Sequence, residues 1–451
     1  MENIDENVAT PNALAYSDTI QVGVPAGDLQ YIVNLPNNGA SFKASQTVNF
    51  SINVPHGSMA DMKRSFIRFN IKNNSSTSGE DLYLDRACGG VAVIDSMKIL
   101  GTTGQVISDI QQYNALVAML NDYSNGAHVE SSLNLMEGCA TASVGGTPVI
   151  ADGTTTTLST REKIAISKSR VITHIPKGGF FNADKYLPLG MLNGQVQIQI
   201  GLANGETPFT MLNGKSGADW EVNGWELHIP IIKVSEEFQS NFRQLMASGV
   251  NMSIHTVDFT NNQATIASGS TGQQEILFAN RKRSAKSVFV MNRRSANLTQ
   301  PECESVSARQ SCGTLQYQFS IAGTDMPSQP VKGQLAAGSE NYGEYYAQMQ
   351  RALGHFGSTF RGSCADTENY MPAADNSKGG LVVFALDLEA YSGVLAGKNL
   401  SSAMPLIYKP TLSTETTENI AKSHAVSVSA YTAFDSMLVV DGVTGSLTAV
   451  N

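Results

Sequence analysis

The chain has 451 residues, of which 41% are hydrophobic and only 15% are charged, and its formal net charge is −9. This length favours two to three domains. An acidic chain is a poor candidate for coating nucleic acid over its whole surface, so any genome contact must be local or delegated to another protein. The weakly charged, polar surface that this composition predicts suits contact with copies of the same chain.

The chain start, the apolar runs and the cysteines narrow the class further. Residues 1–7 are acidic and have no apolar core, which is not typical of a secretory signal. The longest apolar runs, Ala115–Leu120 and Leu381–Leu386, have six residues each, whereas a membrane-spanning helix needs about 20. The five cysteines are scattered without a Cys-x-x-Cys pair. We therefore expect free thiols in a reducing cytosol or nucleus, and neither a disulfide framework nor a zinc site.

The chain opens with a segment that lacks periodicity and continues with many strand-like segments. Residues 1–40 carry Pro, Asn and Gly without sustained alternation and are predicted to form an extended N-terminal arm. Apolar and polar residues then alternate repeatedly, which predicts strands with one buried face in a sandwich or barrel. The candidate strands are Val48–Val54, Ile67–Ile71, Val91–Leu100, Val196–Leu202, Trp225–Ile231, Glu275–Ala279, Ser287–Met291, Leu315–Ile321, Val382–Leu388 and Ala425–Tyr431.

Three segments have apolar residues at helical spacing instead. The first covers residues 107–120, with Ser108-x-x-Gln111 as a candidate capping box. The second covers residues 342–356, where an aromatic stripe is typical of core packing rather than of a cofactor site. The third would begin at Ser235 as its N-cap, with two glutamates in its first turn and with Phe238, Phe242 and Leu245 facing inward.

The succession of these segments occurs twice. A strand reaches Gly101-Thr102 and is followed by a helix and a loop rich in Gly and Thr at residues 138–160. A second strand reaches Gly323-Thr324 and is followed by a helix and a loop rich in Gly and Ser at residues 357–379. The repetition predicts two β-domains of similar build, residues 41–248 and 249–451. We expect both loops to be exposed, because their composition cannot build a core.

Motifs of catalysis are missing from the sequence. It contains no His-Glu-x-x-His, Gly-x-Ser-x-Gly or Gly-x-Gly-x-x-Gly, and its seven histidines are dispersed. His228 and His255 lie in strand-like segments and are interpreted as packed or interfacial side chains. Asp387 and Glu389 would share one face of a strand, which is usually surface rather than a catalytic pair. We therefore predict that the chain is not an enzyme and has no cofactor and no metal site.

One charge feature is concentrated enough to be a candidate site. Six of the fourteen residues from 281 to 294 are basic, namely Arg281, Lys282, Arg283, Lys286, Arg293 and Arg294. They predict either an anion-facing patch, which would touch genome, an inner membrane or an acidic neighbour, or an interface patch that pairs with carboxylates across a subunit seam. The sequence leaves both interpretations open.

Taken in order, these segments resemble the double jelly-roll major capsid proteins of the adenovirus-hexon lineage, especially those of Polinton-like viruses, adintoviruses and virophages. The matching series spans roughly residues 45–440. Each motif reflects packing and turn chemistry, and the specific feature is that all of them occur in the same order. The segments that carry the resemblance are Met62–Ile71, Gly90–Leu100, the helix that ends Leu120-Asn-Asp-Tyr-Ser124, Lys185–Gly190, Tyr317–Pro330, Glu340–Glu344 and Leu381–Leu388.

This resemblance implies an all-β fold of two tandem eight-stranded jelly rolls, with a few short helices and long surface loops. Three subunits would form a pseudo-hexameric capsomer of an icosahedral double-stranded DNA virus. The implied partners are other copies of the chain, minor capsid or cement proteins, penton proteins, and weak contact with genome or inner membrane, with no small-molecule substrate. The protein would be found in the virion, assembled in the host cytoplasm or nucleus.

Two other classes of protein remain as alternatives. A carbohydrate-binding or adhesive β-sandwich protein would account for the strands and the Gly-rich loops, but such proteins are usually secreted. A cupin-like or glycosidase jelly roll would need clustered histidine ligands or inward-facing carboxylates, which we do not find in the sequence.

Overall fold

The fold is described from a computed structural model. The structure describes residues 29–124, 133–140, 161–205, 207–211, 218–299, 303–336, 339–340, 342–354, 365, 370, 380–391, 395–401, 405–414 and 423–450. Helix α1 is Tyr113–Ser124, α2 is Glu236–Ala247 and α3 is Gly343–Ala352, and residues 133–137 are also helical.

Strands make up most of the regular structure, and they fall into an earlier and a later set. The earlier set is β1 (Leu29–Asn34), β2 (Ser41–Lys43), β3 (Thr47–Ser51), β4 (Ser58–Ala60), β5 (Phe66–Asn73), β6 (Leu82–Leu84), β7 (Ile94–Leu100), β8 (Val106–Gln111), β9 (Lys163–Ile164), β10 (Ser169–His174), β11 (Gln197–Leu202), β12 (Phe209–Thr210) and β13 (Trp220–Lys233). The later set is β14 (Met252–Ile266), β15 (Gly272–Gln273), β16 (Ile276–Phe278), β17 (Ala285–Arg294), β18 (Thr314–Ile321), β19 (Thr324–Lys332), β20 (Gln334–Ala336), β21 (Ser339–Glu340), β22 (Phe384–Asp387), β23 (Leu406–Leu412), β24 (Val426–Val440) and β25 (Leu447–Val450).

Each set forms two main sheets, and the strand order is the same in both sets. In the earlier set the sheets run β1-β13-β5-β10 and β3-β11-β7-β8, with β2 and β4 also paired to β13. In the later set they run β14-β24-β17-β22 and β15-β23-β18-β19, with β25 added to β24 and β16 to β23. Matched by position, this is one four-plus-four antiparallel arrangement repeated, the strand order of a jelly roll. The expected fold of two tandem eight-stranded jelly rolls is thus confirmed, and we call them roll 1 and roll 2.

The core of roll 1 follows from alternation along its central strands. On β11 the buried Ile198 lies opposite Phe50 of β3 and Ile99 of β7. Ile200, two residues on, is also buried, whereas Gln199 between them is more exposed. A strand with this period presents one apolar face to the core, which is the pattern that the sequence showed at Val196–Leu202.

The core of roll 2 is built around aromatic rings. Phe384 of β22 has its ring centroid 5.2 Å from that of Tyr317, 5.3 Å from that of Tyr345 and 5.9 Å from that of Tyr408. The hydroxyl of Tyr345 donates to the carbonyl oxygen of Thr314 at 3.1 Å, so its polar end is satisfied although the side chain is buried. Tyr345 lies on α3, and the predicted aromatic stripe is therefore core packing.

The first predicted helix begins later than its apolar spacing indicated. Residues 106–111 form strand β8, where Ile110 lies opposite Met97 of β7. The proposed capping box at Ser108 and Gln111 is wrong, because Ser108 bonds to Asp258 and α1 starts only at Tyr113. Pairing of β8 with β7 satisfies the backbone N–H and C=O groups of this segment. The spacing of apolar residues along the chain cannot reveal such a pairing. The first three residues of the predicted strand Val91–Leu100 likewise belong to a 3-10 helix, Gly90–Val93.

Helix α2 begins as predicted, with the side chain of Ser235 accepting a hydrogen bond from the backbone N–H of Phe238 at 3.3 Å. Phe242 is buried, but Leu245 is 43% exposed and does not face inward. Phe238 and Met246, one turn before and one turn after Phe242, are half-buried, and most other residues of α2 are exposed. An amphipathic pattern therefore predicted the helix correctly and overestimated how much of it is covered.

The N-terminal arm predicted for residues 1–40 does not extend that far. Residues 29–34 form β1, which pairs along its whole length with β13, from Leu29 opposite Ile232 to Asn34 opposite Leu227. Backbone pairing to an existing strand needs no buried apolar face, which is why the segment escaped prediction. Residues 1–28 lie outside the described residues. So do nearly all of the predicted loops at 138–160 and 357–379.

The two rolls stand side by side and point the same way. We call the end that holds the β7–β8 turn (101–105) and the β18–β19 turn (322–323) the base, and the opposite end, where α1 and α3 lie, the loop end. At the base, the hydroxyl of Thr102 accepts from the backbone N–H of Leu447 at 3.1 Å. Toward the loop end, the hydroxyl of Tyr431 donates to the carbonyl oxygen of Gln112 at 2.8 Å. Contacts at both levels fix the rolls in parallel.

Candidate functional site

The six basic residues predicted as one patch are separated by strand β17. Arg281, Lys282 and Arg283 precede this strand at the base, and Arg294 ends it at the loop end. Ten residues of strand span about 33 Å at roughly 3.3 Å per residue. The cluster in the sequence is therefore not a cluster on the surface.

The basic residues at the base differ in exposure. Arg281 and Arg283 are exposed, whereas the ammonium of Lys282 lies over the ring of Phe434, 3.8 Å from its centroid. Burial lowers the pKa of Lys282, and the charge of Asp258 opposes that shift. Lys282 therefore packs against roll 2 instead of presenting its charge to a partner.

Lys286 and Arg293 are used inside the molecule. Lys286 pairs with Glu389 at 2.5 Å and lies 3.6 Å from Asp435. Arg293 is buried and donates to the side-chain oxygen of Gln112 at 2.6 Å, between the two rolls. The contact that Arg293 makes therefore joins two rolls of one chain. An external contact of Arg281 and Arg283 stays a prediction.

The joint between the rolls contains charged side chains that are fully buried. Arg161 of roll 1 holds Glu304 of roll 2 with two hydrogen bonds, Nε to Oε1 at 2.8 Å and a terminal nitrogen to Oε2 at 3.2 Å. Both side chains have no solvent exposure. This fork-to-fork geometry is the strongest form of an arginine–carboxylate contact, and it fixes the loop-end half of the joint.

A second buried charge centre lies beside it. Asp122, near the end of α1, contacts Arg86 of roll 1 through one carboxylate oxygen and Arg309 of roll 2 through the other, with no exposure of any of the three. The neighbouring Tyr123 donates its hydroxyl proton to the carbonyl oxygen of Leu381 in roll 2. Burial raises the pKa of Tyr123 well above its usual value. One turn of α1 thus carries two links to the other roll.

Nearer the base the joint contains a histidine between two carboxylates. His255 of β14 has Nδ1 2.8 Å from Asp184 of roll 1 and Nε2 2.7 Å from Asp435 of roll 2. Only a doubly protonated imidazole can donate at both nitrogens. Burial acts to lower the pKa of His255, but its hydrogen bonds to Asp184 and Asp435 outweigh burial and raise the pKa. The predicted interfacial role of His255 agrees with this placement.

Asp258 lies three residues farther along β14 and is buried in the same joint. Its carboxylate accepts from the hydroxyl of Ser108 at 2.9 Å and from the backbone N–H of Gly179 at 2.7 Å. Burial raises the pKa of Asp258 to about 6, and the hydrogen bonds that it accepts moderate the rise. A carboxyl group that titrates near neutrality thus lies where the rolls meet.

None of these joint residues was predicted apart from His255 and Arg293. Their long-range partners lie more than 70 residues away in the chain, so local spacing carries no signal of the pairing. Their burial also runs against the usual preference of charged residues for the surface. The one indication available was the position of Asp122, the single charged residue of helix α1.

Other kinds of site are not seen in the part of the chain that the structure describes. There, no three side chains of His, Cys, Asp or Glu come together in a way that could hold a metal ion. Within the same residues, no helix is long and apolar enough to cross a membrane.

Comparison with known proteins places the chain by its fold. No protein-family model matches the sequence, and no curated protein matches it. Among solved structures, a quasi-atomic model of the PBCV-1 virus capsid aligns with a TM-score of 0.58 at 12% identity, covering 94% of this chain and 97% of that one. The chain has a double jelly-roll fold.

Two further capsid structures agree with this assignment of fold. The double jelly roll described here aligns with the Sputnik virophage structure at a TM-score of 0.55 and 11% identity, covering 98% of this chain and 92% of that one. It aligns with the Faustovirus major capsid protein at a TM-score of 0.53 and 11% identity, covering 91% and 90%. In each case the likeness covers both rolls.

Proposed function

We propose that this chain is the major capsid protein of an icosahedral double-stranded DNA virus and that three copies form a pseudo-hexameric capsomer. The observation that carries the proposal is the pair of jelly rolls with one strand order, held parallel by buried ion pairs. Three such pairs present six similar units, which can occupy a hexagonal lattice. The role is structural, and the chain is not an enzyme.

The joint supports this role because a shell subunit must hold its two rolls at a fixed angle. A joint made only of loose polar contacts would let the rolls rotate, as domains commonly do. Here, Arg161–Glu304 and the Asp122 centre fix the loop end, and the His255 and Asp258 contacts fix the region toward the base. A rigid pair of rolls can tile, whereas a hinged pair cannot keep one lattice spacing.

The finer parts of the proposal concern domains, partners and location. We assign residues 29–248, which add β1 to the predicted 41–248, and residues 249–451 to the two rolls, and residues before β1 to an arm that orders in the assembled shell. Partners would be other capsomers, minor capsid or cement proteins and penton proteins, and Arg281 and Arg283 are the exposed basic residues of the candidate patch that suit weak contact with genome or inner membrane. The protein would reside in the virion, assembled in the host cytoplasm or nucleus.

The mass of the purified chain tests the proposal. Light scattering at neutral pH should give about 144 kDa, three times the chain mass of 48.1 kDa, and dilution should release no monomer because folding and association are coupled. Negative-stain images should show particles with a hexagonal outline. A well-behaved monomer of 48.1 kDa would overturn the capsomer proposal and favour a carbohydrate-binding or adhesive β-sandwich protein.

A further inference from the structure

The contact between the two rolls of one chain pairs two different faces. Roll 1 contributes the outer strand β8 with residues 178–184, which we call the edge face of roll 1. Roll 2 contributes β14 with its neighbour β24, which we call the broad face of roll 2. Asn261 of β14 donates to the carbonyl oxygen of Gln111 at 3.0 Å, and Asn182 donates to that of Val257 at 2.9 Å. The edge face of one roll thus packs on the broad face of the next.

Because the strand order is the same in both rolls, each face has a counterpart. The counterpart of β8 is β19, the outer strand of the equivalent sheet, and the counterpart of residues 178–184 is the segment after β22, of which residues 388–391 and 395–401 are described. The counterpart of β14 is β1, which pairs with β13 as β14 pairs with β24. Roll 2 therefore has an edge face, and roll 1 has a broad face, that the described part of the chain does not use.

Burial separates the used faces from the unused ones. On β8, Ile107, Ser108 and Ile110 are buried, whereas on the nine residues of β19 only Val331 is. The first half of β14 has alternate residues fully buried, whereas β1 has only Asn34 buried. Strands at equivalent positions in equivalent sheets differ in this way because the second roll covers one set, and none of the residues that the structure describes covers the other.

Both unused faces carry large apolar side chains. Leu29, Tyr31 and Val33 alternate along β1 on its outer side, and all are exposed, Tyr31 by 68%. In the segment after β22, Tyr391 is 66% exposed and Leu395 is also exposed. An uncovered strand edge with apolar side chains invites pairing with another chain. An exposed apolar edge of this kind marks a surface for contact with a partner.

We propose that the broad face of roll 1, centred on Tyr31, binds the edge face of roll 2 of a second copy of this chain, centred on Tyr391. This contact between two chains repeats the packing of β8 against β14 within one chain. Because the two faces differ, the interface is heterologous, and such an interface gives a closed ring when the rotation per step divides the circle. Three internal and three intermolecular steps would close a ring of six rolls.

This inference rests on the proposed function and names the surfaces that would build the capsomer. It is tested first on the unmodified protein, by hydroxyl-radical labelling of tyrosines read by mass spectrometry. In the single chain Tyr31 and Tyr391 are more exposed than Tyr186, which is 40% exposed and lies on neither face. In the assembled protein we expect the order to invert, with Tyr31 and Tyr391 labelled several-fold more slowly than Tyr186. Labelling in the order of single-chain exposure would overturn the assignment.

Variants on each face test the pairing itself. Tyr31→Asp or Val33→Asp on the broad face, and Tyr391→Asp or Leu395→Asp on the edge face, should each abolish the species of about 144 kDa. Val443→Asp is the matched control, since Val443 is 82% exposed in the turn between β24 and β25, outside both faces, and should leave the mass unchanged.

Mixing the variants distinguishes this arrangement from a symmetric contact. A broad-face variant and an edge-face variant each keep one intact face, so together they should form a pair of about 96 kDa, twice the chain mass, that cannot close. If face variants keep the mass of the unmodified trimer, the faces are wrong and the proposed function stands. If the unmodified chain is itself a monomer, the proposed function fails with them.

Discussion

Removing Arg161 should destabilise the protein far more than removing an exposed arginine. In Arg161→Met, the carboxylate of Glu304 would stay buried and lose a partner that holds it with two hydrogen bonds. Breaking a buried pair from one side costs about 3–5 kcal/mol, mostly because a charge is left without compensation. The matched control is Arg64→Met, because Arg64 pairs with Asp61 at 2.5 Å with 62% of its side chain exposed. Exposed pairs are worth about 1 kcal/mol or less.

The expected shift in melting temperature follows from the size of the chain. Unfolding entropy is about 2.1 cal/mol/K per residue, so 451 residues that unfold as one unit give about 0.9 kcal/mol/K. A loss of 3–5 kcal/mol then lowers the midpoint by about 3–5 °C, against about 1 °C or less for Arg64→Met. If roll 1 melts alone, the shift for Arg161→Met is larger still, because fewer residues share it.

Differential scanning calorimetry of the two single variants and of Arg161→Met/Glu304→Leu completes the test. Replacing both partners by apolar side chains leaves no charge behind and is commonly neutral. The double variant should therefore recover most of the stability that Arg161→Met loses, and the double-mutant cycle should give a coupling energy above about 2 kcal/mol. Equal effects of Arg161→Met and Arg64→Met would refute the claim that the buried pair holds the joint.

Two titratable groups make the stability of the joint depend on pH, and one glycine allows a close backbone contact between the rolls. The raised pKa of His255 gives stability that is present below about 6.5 and lost as the pH rises through the folded-state value, so the deficit of His255→Gln should shrink between pH 6 and about pH 8.5 in thermal melts. Asp258 has a pKa of about 6 in the folded protein against 3.8 in the unfolded chain, so its charged form opposes folding above pH 6. Asp258→Asn should therefore be more stable than the unmodified protein at pH 8, by at most about 3 kcal/mol, and this gain should vanish near pH 4. A variant that is less stable at pH 8 would contradict the sign. A Cβ on Gly101 would lie 2.2 Å from the carbonyl oxygen of Leu447 in roll 2, whereas one on Gly104 meets nothing within 4 Å, so Gly101→Ala should lower the melting temperature more than Gly104→Ala, which costs only the strain of its positive φ of 81°.

The strands that the sequence predicted are those with a buried side. At β11 and β18, apolar and polar residues alternate because one face meets the core, and both were predicted. β1 and β19 were missed because backbone pairing with a neighbouring strand, rather than a buried apolar face, makes these segments strands. The two prolines of β19 are more typical of a turn than of a strand. An outer strand nevertheless tolerates proline, which has no backbone N–H to donate to a neighbouring strand.

The candidate site was predicted less well than the fold, for a physical reason. A run of basic residues marks a surface only if the backbone keeps the run together, and an extended strand carries Arg283 and Arg294 to opposite ends of roll 2. The repeat at Gly101-Thr102 and Gly323-Thr324 was more informative. It marks the same turn in both rolls, between the outer strand of equivalent sheets and the strand next to it. Order along the chain survives folding, whereas proximity along it does not.

Two similar rolls in one chain create a problem of pairing that the buried charges solve. The edge face of roll 1 resembles the edge face of roll 2. It could therefore also bind the broad face of roll 1 in another copy, which would give assemblies of irregular length. In that wrong arrangement, Arg161 and Asp122 would be covered without Glu304 and Arg309, which belong to roll 2 alone. Each unpaired buried charge costs several kcal/mol, and such penalties against the wrong partner are a common source of specificity. The chain thus has a charged joint where the correct partner is always present, and apolar faces where a second copy must be found.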